Sequence, residues 1–173
     1  MNAAYWHLAT NHIPVIAIPF IFFLLLAGLL RKSQDLIKAS YAAAVVVALI
    51  TIFVWKTGGP AAHIVKNISG IQRADIHEHA EAADFGLWAA EIAGALSLIG
   101  LWLGRRGKAS NRWGWLVLAV LLWASAVEAR VAHLGGLIRH CEIRSAPSMS
   151  KDAAPAGGNA SPQAPEDRAP KMP

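Results

Sequence analysis

Read as a succession of hydrophobic and polar positions, the chain holds four long apolar runs separated by polar joints. They fall at about residues 13–30, 40–55, 85–104 and 113–133, and each approaches the roughly 20 apolar residues that a helix needs to cross a bilayer. The pattern predicts an all-α protein: a four-transmembrane-helix antiparallel bundle within residues 1–145, carrying an outer loop between spans two and three. The second run, "SYAAAVVVALITIFVW", is slightly short and is expected to tilt little or to recruit flanking residues.

The joints are read from their punctuation. Gly58-Gly59-Pro60 combine backbone freedom with a missing N–H donor and are expected to stop the second helix. Asp75 is placed to cap a new helix that starts above the membrane and runs straight into the third span. Gly135-Gly136 are expected to end the fourth. Residues 146–173 are rich in Pro, Ala, Gly and Ser with balanced charge and predict a disordered tail. "RKSQDLIKAS" and "RRGKASNR" share Lys-Ala-Ser, which reads as two basic joints with common residues rather than a duplicated hairpin.

Composition agrees with the pattern. The chain has 173 residues, of which 55% are hydrophobic and only 16% charged, too apolar for an ordinary soluble domain. The net charge of +5 could suggest nucleic acid, but its placement argues against that partner. Arg31, Lys32 and Lys38 follow span one, and Arg105, Arg106, Lys108 and Arg112 follow span three. Loops that rich in Lys and Arg face the cytoplasm. The expected orientation in a bacterial inner membrane therefore puts both termini on the periplasmic side. Residues 1–30 contain no Lys or Arg, which reads as a retained first helix rather than a cleaved signal. The single cysteine, Cys141, excludes an intramolecular disulfide framework and CxxC chemistry.

In that orientation all seven histidines fall on the outer side. Helix rise puts His12 about 28 Å above Arg31, His133 about 31 Å above Arg112 and His79 about 39 Å above Arg105. First and last helices of such a bundle are usually neighbours, so His12 and His133 are expected to meet. Glu91 and Arg130 lie inside spans, where ionisable groups face the interior and pair. They differ in height by about 6 Å, within reach of long side chains.

Each histidine supports a chemical and a plain reading. Neutral imidazoles bind haem iron, and helical bundles build cofactor sites from facing side chains. His12, His79 and His133 are thus candidate iron ligands for one b-type haem, with Arg130 on a propionate and Glu91 balancing it. Two haems in opposite leaflets are excluded, because the inner half has no histidine. His63 and His77 are weaker candidates for a divalent transition metal. In "HEHAEAAD", His77 and Glu81 share a helical face, but the two histidines are only two apart and lack zinc-protease spacing. The plain readings are interfacial histidines bonded to water or headgroups, a solvated acidic helix entry, and a structural ion pair. The tryptophans mostly sit near span ends, as interfacial anchors do.

Three stretches together resemble a family of mostly uncharacterised four-helix bacterial inner-membrane proteins. They are His12 with Pro14 and Pro19, "KTGGPAAHIVKNISGIQRADIHEHAEAA" with His79, and "AHLGGLIRH" with His133. The resemblance covers about residues 10–140, with Ile18-Pro19-Phe20 standing where the family has His-Phe-Pro. Some relatives look fused to c-type cytochrome domains, which implies outward-facing electron transfer.

The leading expectation is a redox membrane protein that binds one haem b near its outer face, with a quinone or a periplasmic cytochrome as electron partner. The alternative is a non-enzymatic structural or metal-binding accessory subunit of a larger membrane complex or a homodimer, with or without a metal.

Overall fold

The computed structural model describes residues 2–106 and 111–140. Cys141, Lys108 and the expected tail lie outside the described residues. Five helices account for the rest, with no strand among the described residues: α1 (Ala3–Thr10), α2 (His12–Leu30), α3 (Gln34–Val65), α4 (Arg73–Arg105) and α5 (Asn111–Arg139). Taking α1 and α2 as one stretch, Ala3–Leu30, four stretches are long and apolar enough to cross a membrane.

The break between α1 and α2 has a local cause. Pro14 carries no N–H to give the carbonyl of Thr10, and its ring crowds that carbonyl. The helix is interrupted at Asn11, although Asn11 keeps helical dihedrals, and α1 lies against α3. Pro19 sits within α2, which continues through it. At the other end of α2, Lys32 adopts a left-handed conformation (φ 52°) and the Ser33 N–H donates to Gly28 O at 2.9 Å, closing the helix. Ser33 then caps α3 through its hydroxyl.

Three joints differ from the sequence expectation. α3 does not stop at Gly58-Gly59-Pro60 but runs 32 residues to Val65, so the second span is not short. The carbonyl that Pro60 leaves without a helical donor is that of Lys56, an exposed residue beyond the apolar run, where water can serve. α5 likewise passes through Gly135-Gly136 to Arg139. Here Gly135 serves close packing rather than termination, and Gly136 faces open space. Finally, Gln72 rather than Asp75 occupies the cap position of α4, and Asp75 stands in the first turn, where a carboxylate favours the helix dipole. As expected, α4 is one helix from its polar start to its apolar end.

The four long helices form a ring: α2 on α3, α3 on α4, α4 on α5, and α5 back on α2. Trp55 Nε1 donates to Asp84 Oδ1 at 2.7 Å, Ala48 faces Gly94, and Tyr41 lies on Gly100. Numbers thus fall along α3 as they rise along α4. In the same way Leu29 of α2 meets Gly114 of α5. Between the helices the contacts are small. A methyl group added at Gly94 would stand 2.6 Å from Ala48 Cβ, and one at Gly100 2.6 Å from Tyr41 Cε2. Lipid tails are as apolar as the helices, so close backbone approach, not exclusion of water, holds membrane helices together. Large apolar side chains such as Phe20, Phe23, Leu49, Phe85 and Trp88 point outward instead.

Buried positions recur every seventh residue: Pro14, Ile21 and Gly28 on α2; Ser40, Val47, Val54 and Ala61 on α3; Gly86, Ala93 and Gly100 on α4; Gly114, Leu121 and Glu128 on α5. A seven-residue step keeps one seam of each helix turned to its neighbours. This phase carries Ser40 and Glu128 into the interior, and Thr51 and Ser97 enter four residues beyond Val47 and Ala93.

Candidate functional site

Extending those seams toward the α1 end of the bundle brings two histidines inward. His7 lies seven residues before Pro14, and His79 seven before Gly86. Both are half-buried, and their rings lie edge to face with centroids 6.5 Å apart and planes at 78°.

Each ring is anchored from outside the pair. His7 Nδ1 lies 3.1 Å from Val54 O and 3.2 Å from Thr57 Oγ1. His79 Nδ1 lies 3.1 Å from Val131 O. A backbone carbonyl only accepts, so in both rings Nδ1 carries the proton and donates. The Thr57 hydroxyl donates to the same Val54 carbonyl at 2.7 Å, which leaves its oxygen lone pairs toward His7. In the neutral imidazole Nε2 then holds the free lone pair, and among the described residues neither Nε2 has a hydrogen-bond partner. A ring fixed through Nδ1–H to a carbonyl, with Nε2 available, is the arrangement in which histidine serves as a metal ligand.

Glycines make the room. A Cβ at Gly58 would come within 3.4 Å of His7 Cε1, and one at Gly135 within 3.1 Å of His79 Cε1. The close approach at Gly135 gives α5 a reason to carry glycine inside the helix, whereas the contact at Gly58 is an ordinary van der Waals one.

One to two turns below the pair, Glu128 continues the α5 seam that leads up to Val131 and Gly135. It is 3% exposed, and its Oε1 would lie 3.1 Å from a Cβ placed on Gly86. Among the described residues the Glu128 carboxyl makes neither a hydrogen bond nor an ion pair.

The other residues singled out from sequence are placed as follows. The register of Leu29 on Gly114 sets His12 and His133 within about 3 Å of one height. The two side chains are exposed and do not meet. His12 stands two positions before Pro14, about 200° around its helix, and His133 five after Glu128, about 140° around. Arg130 is exposed for the same reason. Glu91 is half-buried, with Oε1 enclosed and without a partner, and it forms no ion pair with Arg130. His63 is exposed in the last turn of α3, where the Lys66 ammonium approaches its Nδ1 at 3.1 Å. His77 is exposed and meets Glu81 at 3.3 Å on the solvated face of α4. Of the candidates, the structure brings His79 alone into a histidine pair, and its partner is His7. The signal that could have found His7 is its seven-residue phase with Pro14, Ile21 and Gly28. The same phase distinguishes Glu128 from Arg130.

Fold and site define a class: an all-helical chain with four membrane-length helices that turns two backbone-anchored histidines toward each other at one end of the ring. The chain matches no protein-family model, no curated protein and no solved structure.

Proposed function

We propose that this chain is a multi-pass inner-membrane redox protein that holds one b-type haem between His7 and His79. The observation that carries the reading is the geometry of the pair. His7 and His79, imidazoles from different helices with ring centroids 6.5 Å apart and no partner at either Nε2 among the described residues, would hold the haem iron. A four-coordinate bare ion suits the pair less. Its tetrahedral angle would draw the rings closer, and no group of three or more His, Cys, Asp or Glu side chains among the described residues is placed to hold a metal.

When bound, the haem would supply one-electron exchange at the iron. The chain's own residues do the holding. Val54, Thr57 and Val131 fix each imidazole in the tautomer that offers Nε2, and Gly58 and Gly135 leave space beside the rings. His12, His133 and Arg130, on exposed faces, have no part in the ligand set of this reading. The excess of Lys and Arg in the joints after α2 and α4 supports an antiparallel arrangement with those joints cytoplasmic. The histidine pair and both termini then face the periplasm. The electron partner would be a quinone in the bilayer or a periplasmic cytochrome.

The test is a reduced-minus-oxidised absorption spectrum of the protein purified from haem-replete cells. A b-type spectrum is expected in the wild type, His12→Ala and His133→Ala, and its loss in His7→Ala and His79→Ala. A colourless wild type, or a spectrum that survives both His7→Ala and His79→Ala, overturns the proposal.

A further inference from the structure

We infer that Glu128 is the proton-binding group of this site, taking up a proton when the site gains an electron and releasing it when the electron leaves. The inference rests on the His7–His79 reading and adds a second chemistry to it. The carboxyl of a glutamate that is 3% exposed as a residue, inside a helix of membrane length, is costly unless it is neutralised or used. Among the described residues nothing neutralises Glu128.

Its place ties it to the pair. Val131, whose carbonyl receives the His79 N–H, is three residues further along α5, about 4.5 Å in rise. Gly86 leaves the space into which Oε1 fits and lies seven residues from His79 on the same seam of α4. The titratable groups nearest this height are Glu91, half-buried five residues from Gly86 on α4, and the exposed Asp84 on α4, Lys56 on α3 and His12 on α2; among the described residues none of them pairs with Glu128. To the seams at this height α2 contributes Pro14 and Ile18, α3 Thr51 and Val54, and α4 Ala82, Gly86 and Ala89, with His79 as the nearest titratable group on that seam. On α5 itself Arg130 is exposed, two positions away around the helix.

In a low-dielectric interior an added electron is weakly screened and raises the proton affinity of a nearby carboxylate. The balance is simple. One electron arrives from an external quinol or reduced cytochrome, and one proton moves from water to a Glu128 carboxylate oxygen, giving the carboxylic acid. Both leave on reoxidation.

A potentiometric titration of the purified, haem-loaded protein between pH 5 and 9 tests this, with Glu128→Gln, close in size and unable to ionise, as the comparison. In the wild type the reduction equilibrium should change about tenfold per pH unit over part of the range, about 59 mV for a one-electron couple. In Glu128→Gln the dependence should flatten while the b-type spectrum is kept. Infrared difference spectra should show a protonated carboxyl band on reduction of the wild type that is missing from the variant. A flat wild-type titration, or a slope unchanged in Glu128→Gln, overturns the inference and leaves the haem reading standing. A wild type without a haem spectrum overturns both, and the spectrum recorded before titration tells the two failures apart.

Discussion

The imidazole of His79 occupies space that exists because residue 135 is glycine: a methyl group there would stand 3.1 Å from His79 Cε1 and 3.3 Å from Nδ1. The neighbouring Gly136 has nothing within 4 Å of such a methyl. The two glycines, adjacent in one helix, should therefore respond to alanine in opposite directions. Gly136→Ala should gain up to about 1 kcal/mol from helix propensity. Gly135→Ala should lose that gain and a further ~1–3 kcal/mol to overpacking, as the ring is pushed off the Val131 carbonyl. Thermal unfolding in detergent reads both. Equal melting temperatures for the two variants would mean that the ring is not held against α5.

The same contrast applies at the centre of the bundle. Gly94→Ala would put a methyl 2.6 Å from Ala48 Cβ, with the Ala44 carbonyl 3.6 Å away, so α3 and α4 must separate. A cost of about 1–3 kcal/mol is expected. Gly114→Ala meets the flexible end of Leu29 at 2.5 Å, with the Tyr41 hydroxyl 3.5 Å away, and no backbone, so it should cost less. Gly104→Ala, with nothing within 4 Å, should be neutral or mildly stabilising. Chemical denaturation in mixed micelles would rank the three, and a reversed order of Gly94 and Gly104 would refute the α3–α4 packing.

Trp55 and Asp84 pin α3 to α4 above the apolar core, with the indole N–H donating to Oδ1 at 2.7 Å. Trp55→Phe removes the donor and should cost about 1 kcal/mol, because the acceptor is charged yet the pair is exposed. Asp84→Asn keeps an acceptor oxygen and should cost less than half of that. A double-mutant cycle isolates the coupling. A coupling indistinguishable from zero would place the two side chains apart.

The proposed orientation has its own check. With Cys141→Ser as background, single cysteines at exposed positions, Gln34→Cys and His63→Cys, report the two ends of α3. A membrane-impermeant maleimide added to intact cells with a permeabilised outer membrane should label His63→Cys and spare Gln34→Cys. The reverse pattern would put the histidine pair on the cytoplasmic side.

Much of this architecture was legible in the chain. The apolar runs located all four membrane-length stretches, and the charged entry to α4 was recognised as helix. Legibility failed where packing overrode local punctuation. Gly58-Gly59-Pro60 and Gly135-Gly136 read as stops by backbone chemistry, yet α3 and α5 pass through them, and Gly135 lies close against the His79 imidazole of α4. Helix rise also gives height along the bundle and sets His12 nearly level with His133, but rise alone says nothing of direction around the helix, which turns both outward. His7 precedes the apolar run, where hydropathy carries no signal for it, although its seven-residue step to Pro14 carries the needed phase.

The anchoring of His79 on α5 has a consequence for how the protein is made. His7 leaves the ribosome first, and its supports on α3 follow some fifty residues later. His79 comes next, but the carbonyl that orients it belongs to Val131, 52 residues further on. Until α5 is synthesised and inserted, one imidazole of the pair is untethered and free to choose either tautomer. The pair is complete only once α5 is in place, so whatever it holds must be delivered after all four membrane-length stretches have been made rather than before.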